Sequence, residues 1–338
     1  MCEHQVNAML TTATVGAYLR SRELVGTDAP TEATELGGGV SNVVLDVHAG
    51  GLCCVVKQSL PRLRVVEEWL AKRERALTEA RALELAALLL PGAVPRVLDV
   101  DRDRCAFTME RAPVTWRTWK DDLLEGLADE TVARRVGALL AAWHTGTGGD
   151  AEVEEAFADR EGFDQLRIDP YYRAVARLHP DLATTVESYA ERLLGPGRCV
   201  VHGDYSPKNV LVGSGCLWII DFEVAHFGEP TFDLAFMLNH LFLKALHRPS
   251  ATSGYLKCAS AFWDAYSGGV PGTLAPEADG TLGQVGCLMV ARIDGKSPAE
   301  YLGEDERRCA RSLGRQLLTD PPGSLHEAFA LLKAVTGA

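Results

Sequence analysis

The chain has 338 residues, 47% of them hydrophobic, and a formal net charge of −12. This excludes a disordered chain and leaves enough material to bury a core without disulfides. The acidic balance offers no phosphate-neutralising surface, and the short basic clusters Lys72-Arg73 and Arg307-Arg308 have acids beside them, so no nucleic-acid partner is expected. No uncharged apolar run reaches the ~18 residues of a membrane span, and the first residues lack a basic stretch followed by an apolar one. The nine cysteines form no CxxC pattern. A reduced, cytoplasmic protein with packing cysteines and no membrane contact is expected.

In chain order, apolar positions at helical spacing predict an amphipathic helix over 12–24. Three short β-branched runs follow at 34–36, 43–47 and 52–58, joined by Gly37-Gly38-Gly39 and by Ala49-Gly50-Gly51: an antiparallel meander. An Ala/Leu/Glu/Arg-rich stretch without Pro or Gly predicts a helix over 65–90, stopped by Pro91-Gly92. Strands at 94–100 and 105–110 complete a small sheet. The rest reads as helices near 131–143, 171–178, 182–194, 231–246, 255–266, 282–293 and 305–318, interrupted by one β island at 199–202, 210–212 and 217–220. The expected fold is α+β in two lobes: an antiparallel-sheet N-lobe over 1–112 and a mostly helical C-lobe over 113–338.

The segment VVHGDYSPKNVLVGSGCLWIIDFE carries the chemistry. Asp204 and Asp221 each follow an apolar strand, and Asn209 stands five residues after the first. A hairpin through 210–220 would set Asn209 and Asp221 at one end, two oxygen donors suited to Mg²⁺. Asp204 could orient or deprotonate an attacking hydroxyl. Each aspartate could instead cap a turn; the set with its matching strands argues for the site. In the N-terminal part, Gly37-Gly38-Gly39-Val40-Ser41-Asn42 can bring backbone N–H groups close to phosphates, or simply serve a hairpin that needs positive φ. Lys57 lies within an apolar strand and wants a carboxylate; Glu79 is the first candidate and Glu84 the second. His202 reads as a loop-orienting residue, and His144 and His240 read as core residues.

HGDYSPKN followed by IIDFE, and then GEPTFDLA, resembles the signature of the aminoglycoside phosphotransferase and choline kinase superfamily, distant relatives of protein kinases. The resemblance spans about 34–320 and implies a protein-kinase-like fold that uses ATP and Mg²⁺ to phosphorylate a small-molecule hydroxyl. It implies Asp204 as catalytic base, Asn209 and Asp221 as Mg²⁺ ligands, Lys57 on the ATP phosphates paired with Glu79, and Asp233 as a brace of the catalytic loop. Gly37, Gly38, Gly39, Ser41 and Asn42 would cover the nucleotide, and the backbone at Glu110, Arg111 and Ala112 would meet adenine. GGGVSNVVLDV with VVKQSLPRLRVVEEW, and the late GCLMVARIDGKS, are similar to the methylthioribose kinase family, which points to Arg292, with Glu223, as substrate residues. That family has Ser at the position of Asn209 and Pro at that of Phe222, so a sugar such as methylthioribose stands beside two alternatives. These are an aminoglycoside or other antibiotic acceptor, and a nucleotide-binding module without turnover.

Overall fold

A computed structural model describes residues 9–37, 41–61 and 72–337. Gly38, Gly39 and the first part of the helix expected over 65–90 lie outside them. The chain forms two compact units: Met1–Trp116 with Trp218–Val224, and Arg117–Leu217 with Ala225–Ala338.

The first unit begins with α1 (Val15–Ser21) and contains β1 (Thr31–Glu35), β2 (Asn42–Ala49), β3 (Leu52–Ser59), α2 (Arg75–Leu89), β4 (Val97–Asp101) and β5 (Ala106–Glu110). The strands form one antiparallel sheet in the order β1-β2-β3-β5-β4. Period-two alternation sorts its faces. Val43, Leu45 and Val47 of β2 and Cys54 and Val56 of β3 bury one face against Val15, Tyr18 and Leu19 of α1. On β3 the intervening residues, Val55 and Lys57, therefore face the other way. Lys57 sits on the central strand, opposite Val44 on β2 and Phe107 on β5. Helix α2 packs on β3, β4 and β5. Arg75 and Glu79, one turn apart, are both buried on it.

The second unit starts with β6 (Arg117–Thr118), α3 (Trp119–Glu125), α4 (Glu130–Thr147), α5 (Ala151–Ala156) and α6 (Ala183–Leu194). Between α5 and α6 the chain forms a helical turn Glu161–Phe163, a π-helix Asp164–Arg173 and a short α segment Ala174–Leu178. Pro170 lies inside the wide part; a residue without an N–H is more easily carried where the α-helical ladder is already interrupted. The helix expected at 171–178 is thus the tail of a longer, irregular one.

The expected β island is divided. Cys199–Val201 (β7) pairs not with its neighbour in sequence but with His226–Gly228 (β10). Val210–Gly213 (β8) pairs with β6 and with Cys216–Ile219 (β9). The helices α7 (Thr231–His247), α8 (Thr252–Gly269), α9 (Ala278–Asp294), α10 (Glu304–Thr319) and α11 (Leu325–Thr336) complete the unit. α7 is buried nearly all round and forms the centre of the helical core. None of the described helices is long and apolar enough to cross a membrane.

Close helix packing fixes this core. α4 and α8 approach so tightly that a Cβ on Gly137 would stand 2.3 Å from the Phe262 carbonyl oxygen. Backbone cannot yield as a flexible side chain can, so Gly137→Ala should cost about 1–3 kcal/mol despite alanine's higher helix propensity. Thermal unfolding is the check: Tm should fall by several degrees, and an unchanged or higher Tm would refute this packing.

Candidate functional site

In the first unit, burying Lys57 requires neutralisation. Its ammonium, in a residue only 5% exposed, donates to Glu79 Oε1 at 2.9 Å and pairs with Asp221. Asp221 adopts a left-handed backbone, φ +70°, which aspartate tolerates better than most residues. Burial, opposed by Asp221 and Glu79, acts on Lys57, and the two acids win: its pKa is raised. Burial pushes the Glu79 carboxyl up to about 8, against the pull of Lys57. Two acids thus share one base.

Glu223, two residues after Asp221, anchors a second buried network. It accepts from Arg75 Nε at 3.0 Å, Ser41 Oγ at 2.7 Å and Asn42 Nδ2 at 2.8 Å. Asn42 Oδ1 in turn accepts from Ser59 Oγ at 2.9 Å, and Arg75 donates to the carbonyls of Ser41, Leu60 and Lys72. Glu223, expected toward substrate, and Ser41 and Asn42, expected over the nucleotide, therefore carry a cross-brace. It ties the end of the glycine turn to β3, α2 and the segment that holds Asp221. The sequence reading passed over Arg75, although a basic residue one turn before Glu79 was the available signal.

Around the expected adenine-facing backbone, Glu110 Oε1 accepts from Arg96 Nε at 2.6 Å, and its N–H donates to the Arg96 carbonyl at 2.9 Å. The Arg111 guanidinium is committed to Asp46, with Nη2 at 2.7 Å, and to the Ala112 carbonyl at 3.0 Å. The side chains here are therefore engaged within the sheet. Gly37 lies in an exposed bend.

In the second unit, the loop after β7 is held from below by Asp233 at the start of α7. The Asp233 carboxylate accepts the N–H groups of His202 at 2.7 Å and Gly203 at 2.9 Å. Gly203 has φ +76°, open to glycine without strain. His144 Nε2 lies 3.2 Å from the same carboxylate, and its Nδ1 lies 3.0 Å from Tyr266 Oη. A carboxylate only accepts, so Nε2 donates to it. His144, read from sequence as a core residue, is thus the support of the brace. His202 Nδ1 accepts the Asp204 N–H at 3.2 Å, the loop-orienting part expected of it.

Asp204 is 3% exposed. Its carboxylate meets Arg167 Nη2 at 3.1 Å, Lys208 Nζ at 2.8 Å and Asn209 Nδ2 at 2.8 Å. Arg167, from the π-helix, also donates to the Gly203 carbonyl at 2.6 Å; nothing in the local sequence marked it. Because Asn209 spends its amide hydrogens on the Asp204 carbonyl and carboxylate, its side-chain oxygen is the atom left for a ligand. Arg292 on α9 donates to Ser297 Oγ at 2.7 Å. Asn209 and Asp221 each present a hard oxygen donor of the kind Mg²⁺ takes, while no cluster of three His, Cys, Asp or Glu occurs among the described residues.

Comparison with known proteins gives this geometry a context. The model of the phosphotransferase enzyme family matches residues 32–268. The chain is similar to methylthioribose kinase from Exiguobacterium sibiricum, 27% identical over 253 residues, covering 67% of this chain and 64% of the relative. It is also similar to the enzyme of that name from Pectobacterium atrosepticum, 28% identical over 239 residues, covering 62% and 60%. The matches thus span less than two thirds of these relatives. Among solved structures, a choline/ethanolamine kinase family protein from Mesorhizobium loti superposes with TM-score 0.53 at 18% identity, covering 97% of this chain and 96% of that one. An amicoumacin kinase in complex with AMP-PNP and Ca²⁺ gives 0.54 at 13%, covering 92% and 96%. The fold is protein-kinase-like, as the sequence signature implied.

Removing Lys57 leaves two acids facing each other in a buried setting. Lys57→Met should lower stability by about 3–5 kcal/mol, read by chemical denaturation at pH 7, and adding Glu79→Gln should recover part of the loss. A single variant as stable as the parent is incompatible with the shared pair.

Proposed function

Because this chain belongs to the phosphotransferase enzyme family, we propose that it transfers the γ-phosphoryl group of ATP to a hydroxyl of a small molecule. The observation that carries the reading is the buried Lys57 ammonium shared by Glu79 and Asp221. A fixed point charge of this kind suits the β- and γ-phosphates, since phosphoryl transfer is accelerated mainly by positioning and charge neutralisation. We assign the nucleotide to the first unit, through Lys57, the glycine turn and the backbone of Glu110, Arg111 and Ala112. The acceptor is assigned to the second unit.

Asn209 and Asp221 are the residues that would hold Mg²⁺. When bound, the ion neutralises charge on the phosphates. Asp204 orients the acceptor hydroxyl and receives its proton as the oxygen attacks phosphorus. Arg167 and Asn209 hold the Asp204 carboxylate in one orientation, while Lys208, half exposed, can swing away. Asp233, with His144 behind it, fixes the backbone that presents Asp204. The relatives named methylthioribose kinase make a sugar hydroxyl the first acceptor to test. Free cysteines among the described residues support a reducing, cytoplasmic setting.

ADP release should be measured with sugars including methylthioribose, amino alcohols and aminoglycosides as acceptors. Acceptor-dependent turnover is expected, and Asp204→Ala should reduce kcat by about 10²–10⁴-fold while the Kd for ATP stays within threefold. Near-parental turnover in Asp204→Ala would defeat the assignment. ATP binding with no turnover on any acceptor would favour the nucleotide-binding module instead.

A further inference from the structure

Lys244, on α7, is 1% exposed. Among the described residues no carboxylate pairs with its ammonium and no hydrogen bond satisfies it; Nζ stands over the Tyr301 ring, 5.5 Å from the centroid. Its neighbours compound the cost. Burial, followed by Lys120 of α3 and Arg292 of α9, pushes the Lys244 ammonium down to about 7. Burial, followed by Lys244, Arg292, Lys208 and Lys120, holds His240, one turn earlier on α7, well below the usual histidine range. Buried cations ordinarily find an acid partner, and the charges that act on this one are the cations Lys120 and Arg292.

Two further donors beside it are also unmet. The Tyr301 hydroxyl and Arg292 Nε are buried with no hydrogen-bond partner among the described residues. The acids of this region are already taken. Glu306, behind Tyr301, accepts from the Gly303 N–H at 2.7 Å and lies 3.5 Å from His247 Nδ1. Asp204 is enclosed by Arg167, Lys208 and Asn209.

The cluster is connected to Asp204 along one ridge of α7. Phe236, His240 and Lys244 follow each other at intervals of four, the spacing that stacks side chains on a helix face. Phe236 carries Arg167 over its ring at 5.8 Å and meets Tyr171 edge-on at 5.9 Å. Arg167 is the residue that clamps Asp204. Lys244 lies eight residues beyond Phe236, about 12 Å along the axis. Burial acts to raise the Tyr171 phenol, but Arg292 and Arg167 outweigh it, and its pKa is lowered.

We propose that Lys244, with the Arg292 guanidinium and the Tyr301 hydroxyl beside it, is the recognition point for an anionic group, carboxylate or phosphate, carried by the acceptor. A bound anion would supply the missing counter-charge and the missing hydrogen-bond acceptor together, and would favour the charged form of the lysine. A polycationic aminoglycoside would meet like charge here. The inference rests on the phosphotransfer reading and adds to it a substituent that methylthioribose does not carry.

Matched acceptors test it: ribose against ribose 5-phosphate, and glucose against glucuronate, the two pairs separating phosphate from carboxylate. In the parent enzyme kcat/KM should favour the anionic member of at least one pair by tenfold or more. Lys244→Met should collapse that ratio at least tenfold, mainly through KM, and Lys244→Arg should keep it within threefold. No preference in the parent, or a preference that survives in Lys244→Met, overturns the proposal. Lys244→Met and Lys244→Gln each remove an unpaired buried charge, so both should fold with a Tm at or above the parent's. Should no acceptor be phosphorylated, the phosphotransfer reading fails separately. Equilibrium binding of ribose 5-phosphate and glucuronate without nucleotide then decides: saturable binding lost in Lys244→Met supports the anion point, and absence of binding in the parent rejects it.

Discussion

An ammonium cannot be carried into the centre of a β-sheet alone. Placing Lys57 on the middle strand, with its neighbours Val56 and Gln58 committed to the opposite face, obliges acids to converge from elsewhere. Glu79 arrives from α2, the helix that covers that face. Asp221 arrives from a segment distant in sequence and belonging to the same compact unit. Much of the first unit follows from this demand. The helix must lie over β3 to deliver Glu79, and the chain must return at Trp218–Val224 to deliver Asp221. Once it returns, Glu223 locks it through Arg75, Ser41 and Asn42.

The balance within this region is uneven in an informative way. Two cations, Lys57 and Arg75, face three carboxylates, Glu79, Asp221 and Glu223. An excess of acid around a buried base is a poor choice for stability and a reasonable one for receiving a cation with its phosphates. The second unit shows the opposite imbalance at one point: Lys120 and Arg292 act on the buried Lys244 ammonium, and no acid pairs with it among the described residues. On the proposed reading, the two imbalances suit the two participants of a phosphoryl transfer, a metal-bound nucleotide and an acceptor that brings its own negative charge.

The loop that presents Asp204 illustrates how rigidity is built where chemistry requires it. Backbone N–H groups at His202 and Gly203 point at one carboxylate, Asp233, which is itself held by a histidine, and that histidine by a tyrosine from another helix. Arg167 then closes the loop from the other side by binding both a backbone carbonyl and Asp204 itself. Charge-assisted hydrogen bonds in a dry interior are strong and directional, so a short stretch without regular structure is held at several points.

Sequence alone was sufficient for what local pattern encodes. Period-two alternation gave the strands of the meander, the dense Asp/Asn motif gave the loops, and an unneutralised lysine in an apolar strand demanded a carboxylate, with Glu79 the first candidate and Glu84 the second. The helices at Trp119–Glu125 and Leu325–Thr336 were missed although their caps were legible: Thr118 and Ser324 accept N–H groups at their starts, and Gly126 and Gly337 close them in the left-handed region. Tertiary structure alone decided the pairing of β7 with β10, the place of Glu223 in a brace, the part of Arg167 on a π-helix and the isolation of Lys244. Each of these depends on which distant groups share a buried space. Low dielectric makes such meetings decisive for a charge, and no periodicity along the chain records them.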